Sequence, residues 1–456
     1  MSNPTLSQNS VITSIFTGNT LAAVPFLTCG GTNFANKSGT TWANFTVGTT
    51  NFKYIFNSQF NGKTGPLVTG YSASGNVPTT INQSLYDGNQ IQYICGQFTS
   101  LSSGGAQNIT YFNPIISRTT TVTFNTLNSI SFTGADNAVY SMAFLNTTAG
   151  TVNTNRIVIA GTFTKATISG TDSTANIALL DLGSGVYSIN TTGIVANGVI
   201  NASTTIINSI IVIGNIIYVA GAASTNCLFY SYNTTSNVWA DLLGGSYAGN
   251  INVIQAIGRT QIAVGGSFTT IGAATSCNNI AIYTIGGAFR SLGNGATKGV
   301  TGVPASSPIY ATPRVFALAN IGDLLWVGGY FVNAGDSVFN SIAIYNILGS
   351  TTYKTLANTW STVKRAGSAV IGLLKDTGGT DPGVVYALNI SAIDTGIINV
   401  GGSFRITTSI VTPNTSETIY NLVKITTPTI NTSSTDRTYS KFNSTSVSTT
   451  KSWLII

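Results

Sequence analysis

The residues able to do chemistry are few, and histidine is absent. Its absence removes Ser–His and Cys–His nucleophilic systems, His-ligated zinc, copper and haem, and the commonest general base. Twelve acidic residues remain: Asp87, Asp136, Asp172, Asp181, Asp241, Asp323, Asp336, Asp376, Asp381, Asp394, Glu417 and Asp436. A carboxylate pair could hydrolyse a glycoside, but no two share a spacing that sets them on one face. Asp87 and Asp323 fall in expected hairpin turns, where Asp is a turn former. No EF-hand or RTX-like run points to calcium. The four cysteines, Cys29, Cys95, Cys227 and Cys277, show no CxxC or other zinc spacing. They read as buried free thiols, with a Cys227–Cys277 bridge as the other option, since both sit at like positions of neighbouring repeats. No catalytic residue, metal ligand or cofactor is assigned, and the chain is read as a non-enzyme.

Asn-x-Ser/Thr triplets are abundant, at Asn36, Asn44, Asn82, Asn108, Asn146, Asn190, Asn201, Asn233, Asn389, Asn414, Asn431 and Asn443. They are candidate N-glycosylation sites of an exposed protein. Chance is the competing explanation in a chain so rich in Asn, Ser and Thr.

Charged residues make up only 7% of the 456, against 43% apolar. β-branched residues and turn formers dominate, which favours many short strands. The net charge of +7 is spread thinly, with no basic cluster interleaved with aromatics, so no nucleic-acid partner is expected. No apolar run approaches a membrane span, and "SWLII" at the C-terminus is far too short. The opening "MSNPTLSQNS" has no apolar h-region, so no conventional signal peptide is expected.

The elements that position everything else are announced by glycines. "WVGGYF" ends at Phe331, "AVGGSF" at Phe268 and "NVGGSF" at Phe404, with weaker copies ending at Phe98 and Phe163. The structural glycines are Gly30, Gly31, Gly96, Gly161, Gly221, Gly265, Gly266, Gly328, Gly329, Gly401 and Gly402. The second glycine of each mark recurs at spacings of 65, 65, 60, 45, 63 and 73 residues, the signature of a repeat fold. Each unit opens on an alternating strand ("VYSMAF" from Val139, "VFALA" from Val315). A turn and a more continuous strand running to the glycines follow. After a variable loop comes a third strand ("NIALLD", "NIAIYT", "SIAIYN"). The fourth has an aromatic and an apolar residue three apart: Phe124–Leu127, Trp239–Leu242, Phe289–Leu292, Tyr353–Leu356 and Tyr439–Phe442. The glycine is expected to end the second strand, often at φ > 0, where a neighbour comes too close for a Cβ. The following Phe is expected to cap the core between units.

Four strands per unit in tandem imply an all-β fold, a seven-bladed β-propeller. It is one domain over 1–456, with blades near 9–80, 81–135, 136–204, 205–248, 249–312, 313–382 and 383–445. Residues 446–456 are expected to form a closing strand that pairs with the incomplete first unit.

"WVGGYF…SIAIYNILGSTTYKTL" and "VAGAAST…CLFYSYNTTSNVWADL" resemble kelch-type repeats, with Gly328, Gly329 and Tyr345 matching in one unit and Tyr232 and Trp239 in another. "VGGSFT…NNIAIY" is closer to the kelch-like repeats of Rax2-type cortical polarity markers and of bacterial and protist surface proteins. The resemblance covers 90–430, and the first unit departs from it. It implies binding or scaffolding blades. The oxidase members of that family use a copper site with histidines, which this chain lacks.

The resulting expectation is a non-enzymatic structural or recognition propeller on an exterior surface, virion- or capsid-associated or a fibre component. Its partners would be proteins of a capsid, filament or surface assembly. It would be located in a virion or on an extracellular surface, with the cytoplasm as the alternative. The rival is a carbohydrate-binding (lectin-like) or glycan-acting propeller that reads glycans through loop aromatics. The most variable loops, 100–107, 164–175, 270–278 and 405–420, are the expected contact region.

Overall fold

The computed structural model describes strands between Val11 and Ile455. Side chains are described chiefly over 138–145, 156–163, 176–180, 204–272, 276–304, 309–348, 357–361, 381–390 and 398–405. Every described element is a strand, and among the described residues there is no helix that could cross a membrane.

Antiparallel meanders follow one another along the chain. Sheet 1 comprises Val11–Asn19, Pro25–Thr32 and Phe52–Asn57, and sheet 2 Thr80–Tyr86, Gln92–Gln97 and Ile109–Phe112. Sheet 3 comprises Val139–Asn146, Val152–Gly161, Ile177–Asp181 and Ser188–Ile189, and sheet 4 Thr205–Ile213, Ile216–Ala223, Asn226–Asn233 and Val238–Asp241. Sheet 5 comprises Gly249–Ile257, Gln261–Phe268, Ile280–Thr284 and Phe289–Ser291, and sheet 6 Arg314–Ile321, Leu324–Tyr330, Ile342–Asn346 and Thr359–Ser361. Sheet 7 runs Val384–Ile390, Ile397–Ser409, Ser416–Thr426 and Asp436–Ser440, then adds Lys451–Ile455 and Val363–Arg365. The first strand of each sheet packs against the first strand of the next, and Val11–Asn19 packs against both Thr80–Tyr86 and Val384–Ile390. The first strands therefore form a closed inner ring. The architecture is a β-propeller.

Apolar side chains fill the gaps between sheets. One cluster joins Val158 and Ala160 of sheet 3 to Ile207, Ile217 and Val219 of sheet 4. Phe229 and Ala220 of sheet 4 meet Ile251, Val264 and Phe268 of sheet 5 in another, and Trp326 of sheet 6 meets Val385, Val400 and Phe404 of sheet 7 in a third. Among the described residues, sheets 3 to 6 are each covered on both faces by their neighbours, which an isolated meander could not achieve. Phe163, Phe268, Phe331 and Phe404 are all buried in such clusters.

The glycines follow from a bulge. Every first strand carries a register shift near its start, at Ile12/Ser14, Ile81/Gln83, Val139/Ser141, Ile207/Ser209, Ile251/Val253, Val315/Ala317 and Val385/Ala387. The residue just before the bulge pairs with the second glycine of the mark, from Ile12↔Gly31 to Val385↔Gly402. A Cβ on Gly161, Gly221, Gly266, Gly329 or Gly402 would overlap a backbone carbonyl of the bulged strand (Ala138, Ile206, Asn250, Arg314 or Val384). None of these glycines sits at positive φ, contrary to the sequence expectation, and of the five only Gly161 ends its strand. Elsewhere the second strand runs straight through the glycine, as in Leu324–Tyr330, and it is the bulge that brings the backbones too close for a side chain. The first glycine serves the next sheet. A Cβ on Gly265 would strike Val315, and one on Gly328 would strike Val385.

Two further corrections concern the outer strands. The fourth strand of sheet 6 is Thr359–Ser361, with Trp360 opposite Tyr345, and not the Tyr353–Leu356 segment, which lies outside the described residues, as does Phe124–Leu127. Lys451–Ile455 pairs with Asp436–Ser440 and Val363–Arg365, and not with sheet 1. Pairing with Asp436–Ser440, the strand just before it, closes a short loop, which costs little entropy.

Candidate binding site at the mouth of the ring

The bulge places one extra residue on each inner strand: Thr13, Asn82, Tyr140, Asn208, Asn252, Phe316 and Tyr386. All occupy the same register near the start of the strand, so they encircle one mouth of the ring. The inner strand has a free edge, and unpaired peptide groups there must find partners. The bulge residue and the one after it supply them. Asn82 Nδ2 donates to Val139 O at 3.0 Å, Asn208 Nδ2 to Ile251 O at 2.9 Å and Asn252 Nδ2 to Val315 O at 2.9 Å, each reaching the next sheet. One residue on, Gln83 Oε1 accepts from Met142 N at 2.6 Å, Ser141 Oγ from Ile210 N at 3.1 Å and Ser209 Oγ from Ile254 N at 3.2 Å. Asn250 joins the amides into a relay, accepting from Asn208 at 2.8 Å and donating to Asn252 at 3.0 Å.

Between sheets 6 and 7 the same register is aromatic. Phe316 and Tyr386 lie 5.2 Å apart between ring centroids, and Tyr310 approaches Phe316 at 5.3 Å and Tyr330 at 5.6 Å. The rings tilt against one another by 48 to 67° and do not stack flat. The hydroxyls of Tyr310 and Tyr386 share a hydrogen bond of 2.8 Å. Tyr330 accepts from Ile309 N at 3.0 Å, and burial, then the charge of Asp381, raises its pKa while that N–H lowers it. The Arg314 guanidinium lies 4.9 Å over the Tyr310 ring, and its Nε is buried with no hydrogen-bond partner. Phe316, Tyr386, Tyr310 and Arg314 are all half-buried, whereas Ile309 beside them is exposed.

This mouth opens on the elaborated face. In sheet 3 the second-to-third connection carries the hairpin Lys165–Ile168/Thr171–Thr174, and in sheet 6 Asn333–Ala334/Ser337–Val338. In sheet 7 the two strands themselves run on as a long hairpin, pairing Arg405–Ser409 with Ser416–Tyr420. On the opposite face the described first-to-second turns, those of sheets 4, 5 and 6, are tight: Gly214, Gly258 and Gly322 take φ of 62, 60 and 54° with open space around them. Of the loops read as contact regions, 164–175 and 405–420 are these hairpins, 270–278 is described except for 273–275, and 100–107 lies outside the described residues. An exposed carboxylate pins one loop of this face. Asp336 accepts from Thr297 N at 2.8 Å and Ala296 N at 3.1 Å, and these bonds hold its carboxyl below the ordinary value.

Of the Asn-x-Ser/Thr positions, Asn82 commits Nδ2, the atom a glycan would occupy, to Val139 O. Asn233 Oδ1 accepts from Thr235 N and Ser236 N in an exposed turn. Asn36, Asn44, Asn146 and Asn389 lie in strands, whereas Asn108, Asn190, Asn201, Asn414, Asn431 and Asn443 fall outside the described residues. Cys95, Cys227 and Cys277 form no disulfide and are buried, so the bridge option is overturned. Burial pushes the Cys227 thiol up to about 12. Among the described residues no three His, Cys, Asp or Glu side chains group as a metal site.

No family model and no curated protein matches the chain. Among solved structures it is similar to the Cps50 (Swd1) β-propeller domain of Myceliophteria thermophila, with 8% identity and a TM-score of 0.41, over 86% of this chain and 93% of that one. It is also similar to the periplasmic gluconolactonase PpgL of Pseudomonas aeruginosa, with 9% identity and a TM-score of 0.40, over 92% and 100% of the two chains. The propeller assignment stands on the sheet order and the closed inner ring.

The bulge residues escaped the sequence reading. The inner strands look like plain alternation, and the residue types at the bulge differ from unit to unit. The usable signal is positional: each follows the Val or Ile that pairs with the second glycine.

Proposed function

We propose that the chain is a seven-bladed propeller of kelch-like blades that serves as a non-enzymatic structural and recognition module on an exterior surface. It would be virion- or capsid-associated, or part of a fibre, and its elaborated face would meet a protein partner of that assembly. Seven meanders with a ring of seven first strands support the blade count. The kelch-like character is supported by aromatic pairs on third and fourth strands, with Tyr232–Trp239 and Tyr345–Trp360 both at 4.9 Å. The observation that carries the recognition reading is the asymmetry of the faces. Among the described residues, one carries tight turns on sheets 4 to 6, and the other bears hairpins around a mouth lined with amides, rings and an arginine. Variable loops on a rigid frame are where binding concentrates.

The test is co-purification of the chain with its native exterior assembly, comparing substitutions on the two faces. Val338→Arg, at an exposed position on the elaborated face, should release the chain. Ser236→Arg, in an exposed turn of the opposite face, should not. Equal retention of both variants would overturn the reading.

A further inference from the structure

The aromatic part of the mouth has the composition of a saccharide site, and this inference rests on the recognition reading above. Ring faces carry negative partial charge, and the C–H face of a pyranose carries the complementary positive charge. Tyr310, Phe316 and Tyr386 offer three half-buried rings, tilted toward one another, where a flat sheet edge would otherwise lie. A pyranose also needs donors and acceptors for its hydroxyls. Arg314 is a half-buried donor with one face against Tyr310. The paired hydroxyls of Tyr310 and Tyr386 add polar groups beside the rings. On the neighbouring inner strand the Asn252 amide is fixed by Val315 and Asn250, so the polar rim beside the rings is pre-organised. Pockets for small ligands commonly combine an apolar lining with a few placed polar groups.

We propose that this mouth binds a terminal pyranose of a surface glycan. Tyr310, Phe316 and Tyr386 form the stacking platform, and Arg314 donates to a ring hydroxyl or carboxylate oxygen. The chain is then a glycan reader as well as a structural element. No bond is made or broken at this site.

The test is a printed glycan array bearing terminal hexose, N-acetylhexosamine, uronic acid and sialic acid, followed by calorimetry with the methyl glycoside of the class that binds. Saturable binding to at least one class is expected. Phe316→Leu, which keeps volume but removes the ring, should weaken it at least ~10-fold, and Arg314→Gln should do the same. Ser236→Arg should leave it unchanged. A uronic or sialic hit assigns Arg314 to a carboxylate, and a neutral hit assigns it to a hydroxyl. A folded wild-type protein that binds no class overturns the proposal, as does binding that survives both mouth substitutions. An array without binding, combined with loss of the assembly in Val338→Arg, sinks the saccharide proposal alone. Retention of the assembly by Val338→Arg sinks the recognition reading itself.

Discussion

Two arcs of the inner ring meet the same requirement with different side chains. From sheet 4 to sheet 6, Asn208, Asn250 and Asn252 link one inner strand to the next through backbone carbonyls and one another. From sheet 6 to sheet 7, Phe316 and Tyr386 meet ring to ring, and the residues after the bulge, Ala317 and Ala387, carry no polar group. In the amide arc the polar atoms are consumed in holding strands together. The aromatic arc leaves ring surface and a half-buried guanidinium. On the proposed reading, stability and recognition occupy different arcs of one circle, at one register.

The bulge common to both arcs gives the largest expected effect. Gly221→Ala faces the amide arc and Gly329→Ala the aromatic arc. Both should cost on the order of 3 kcal/mol or more, because the added Cβ meets backbone that cannot yield. Gly322→Ala, at φ 54° with open space, should cost about 1 kcal/mol. Chemical denaturation of the three variants checks this, and equal losses would mean that the bulge does not dictate the glycine.

A smaller effect separates the arcs themselves. Asn208→Ala removes two hydrogen bonds between sheets and should cost about 1–3 kcal/mol. Phe316→Leu keeps most of the apolar volume of a half-exposed side chain and should cost about 1 kcal/mol or less. A larger loss in Phe316→Leu would reverse the roles assigned to the arcs.

Two predictions lie at the edge of the comparison. Asp336 has a folded pKa below its ordinary value of 3.8. Its hold on Ala296 and Thr297 is therefore complete above that value and lost as pH falls through the lower, folded one. Protection of those two amides, taken relative to the intrinsic exchange rate at each pH, should fall only in that acid window, and Asp336→Asn should remove that fall. A loss of protection beginning near neutral pH would contradict the contact. The buried thiols Cys95, Cys227 and Cys277 should resist iodoacetamide at pH 8 in the native state and react on unfolding, because burial raises all three. Rapid native-state labelling would place them at the surface.

The repeat spacing made the strand order legible, since a glycine forced by backbone contact survives in the sequence whatever surrounds it. The bulge was not legible. It inserts one residue without changing apolar content, so "VFALA" reads as alternation when Phe316 is the residue displaced to the mouth. Trp360 escaped for a related reason. The stretch between Asn346 and Thr359 lengthens the third-to-fourth connection, and Tyr353 offered a nearer aromatic. Pairing of Lys451–Ile455 with sheet 7 depends on register and loop entropy, which composition does not encode.

The division of labour between the arcs can be tested on two variants carried through two assays. Melting temperature and binding to the glycan or native assembly would be measured for Asn208→Ala and Phe316→Leu side by side. The account predicts that Asn208→Ala melts lower and still binds, whereas Phe316→Leu melts near the wild type and binds at least ~10-fold more weakly. Parallel losses in both assays for both variants would contradict it, because the ring would then have no separate recognition arc.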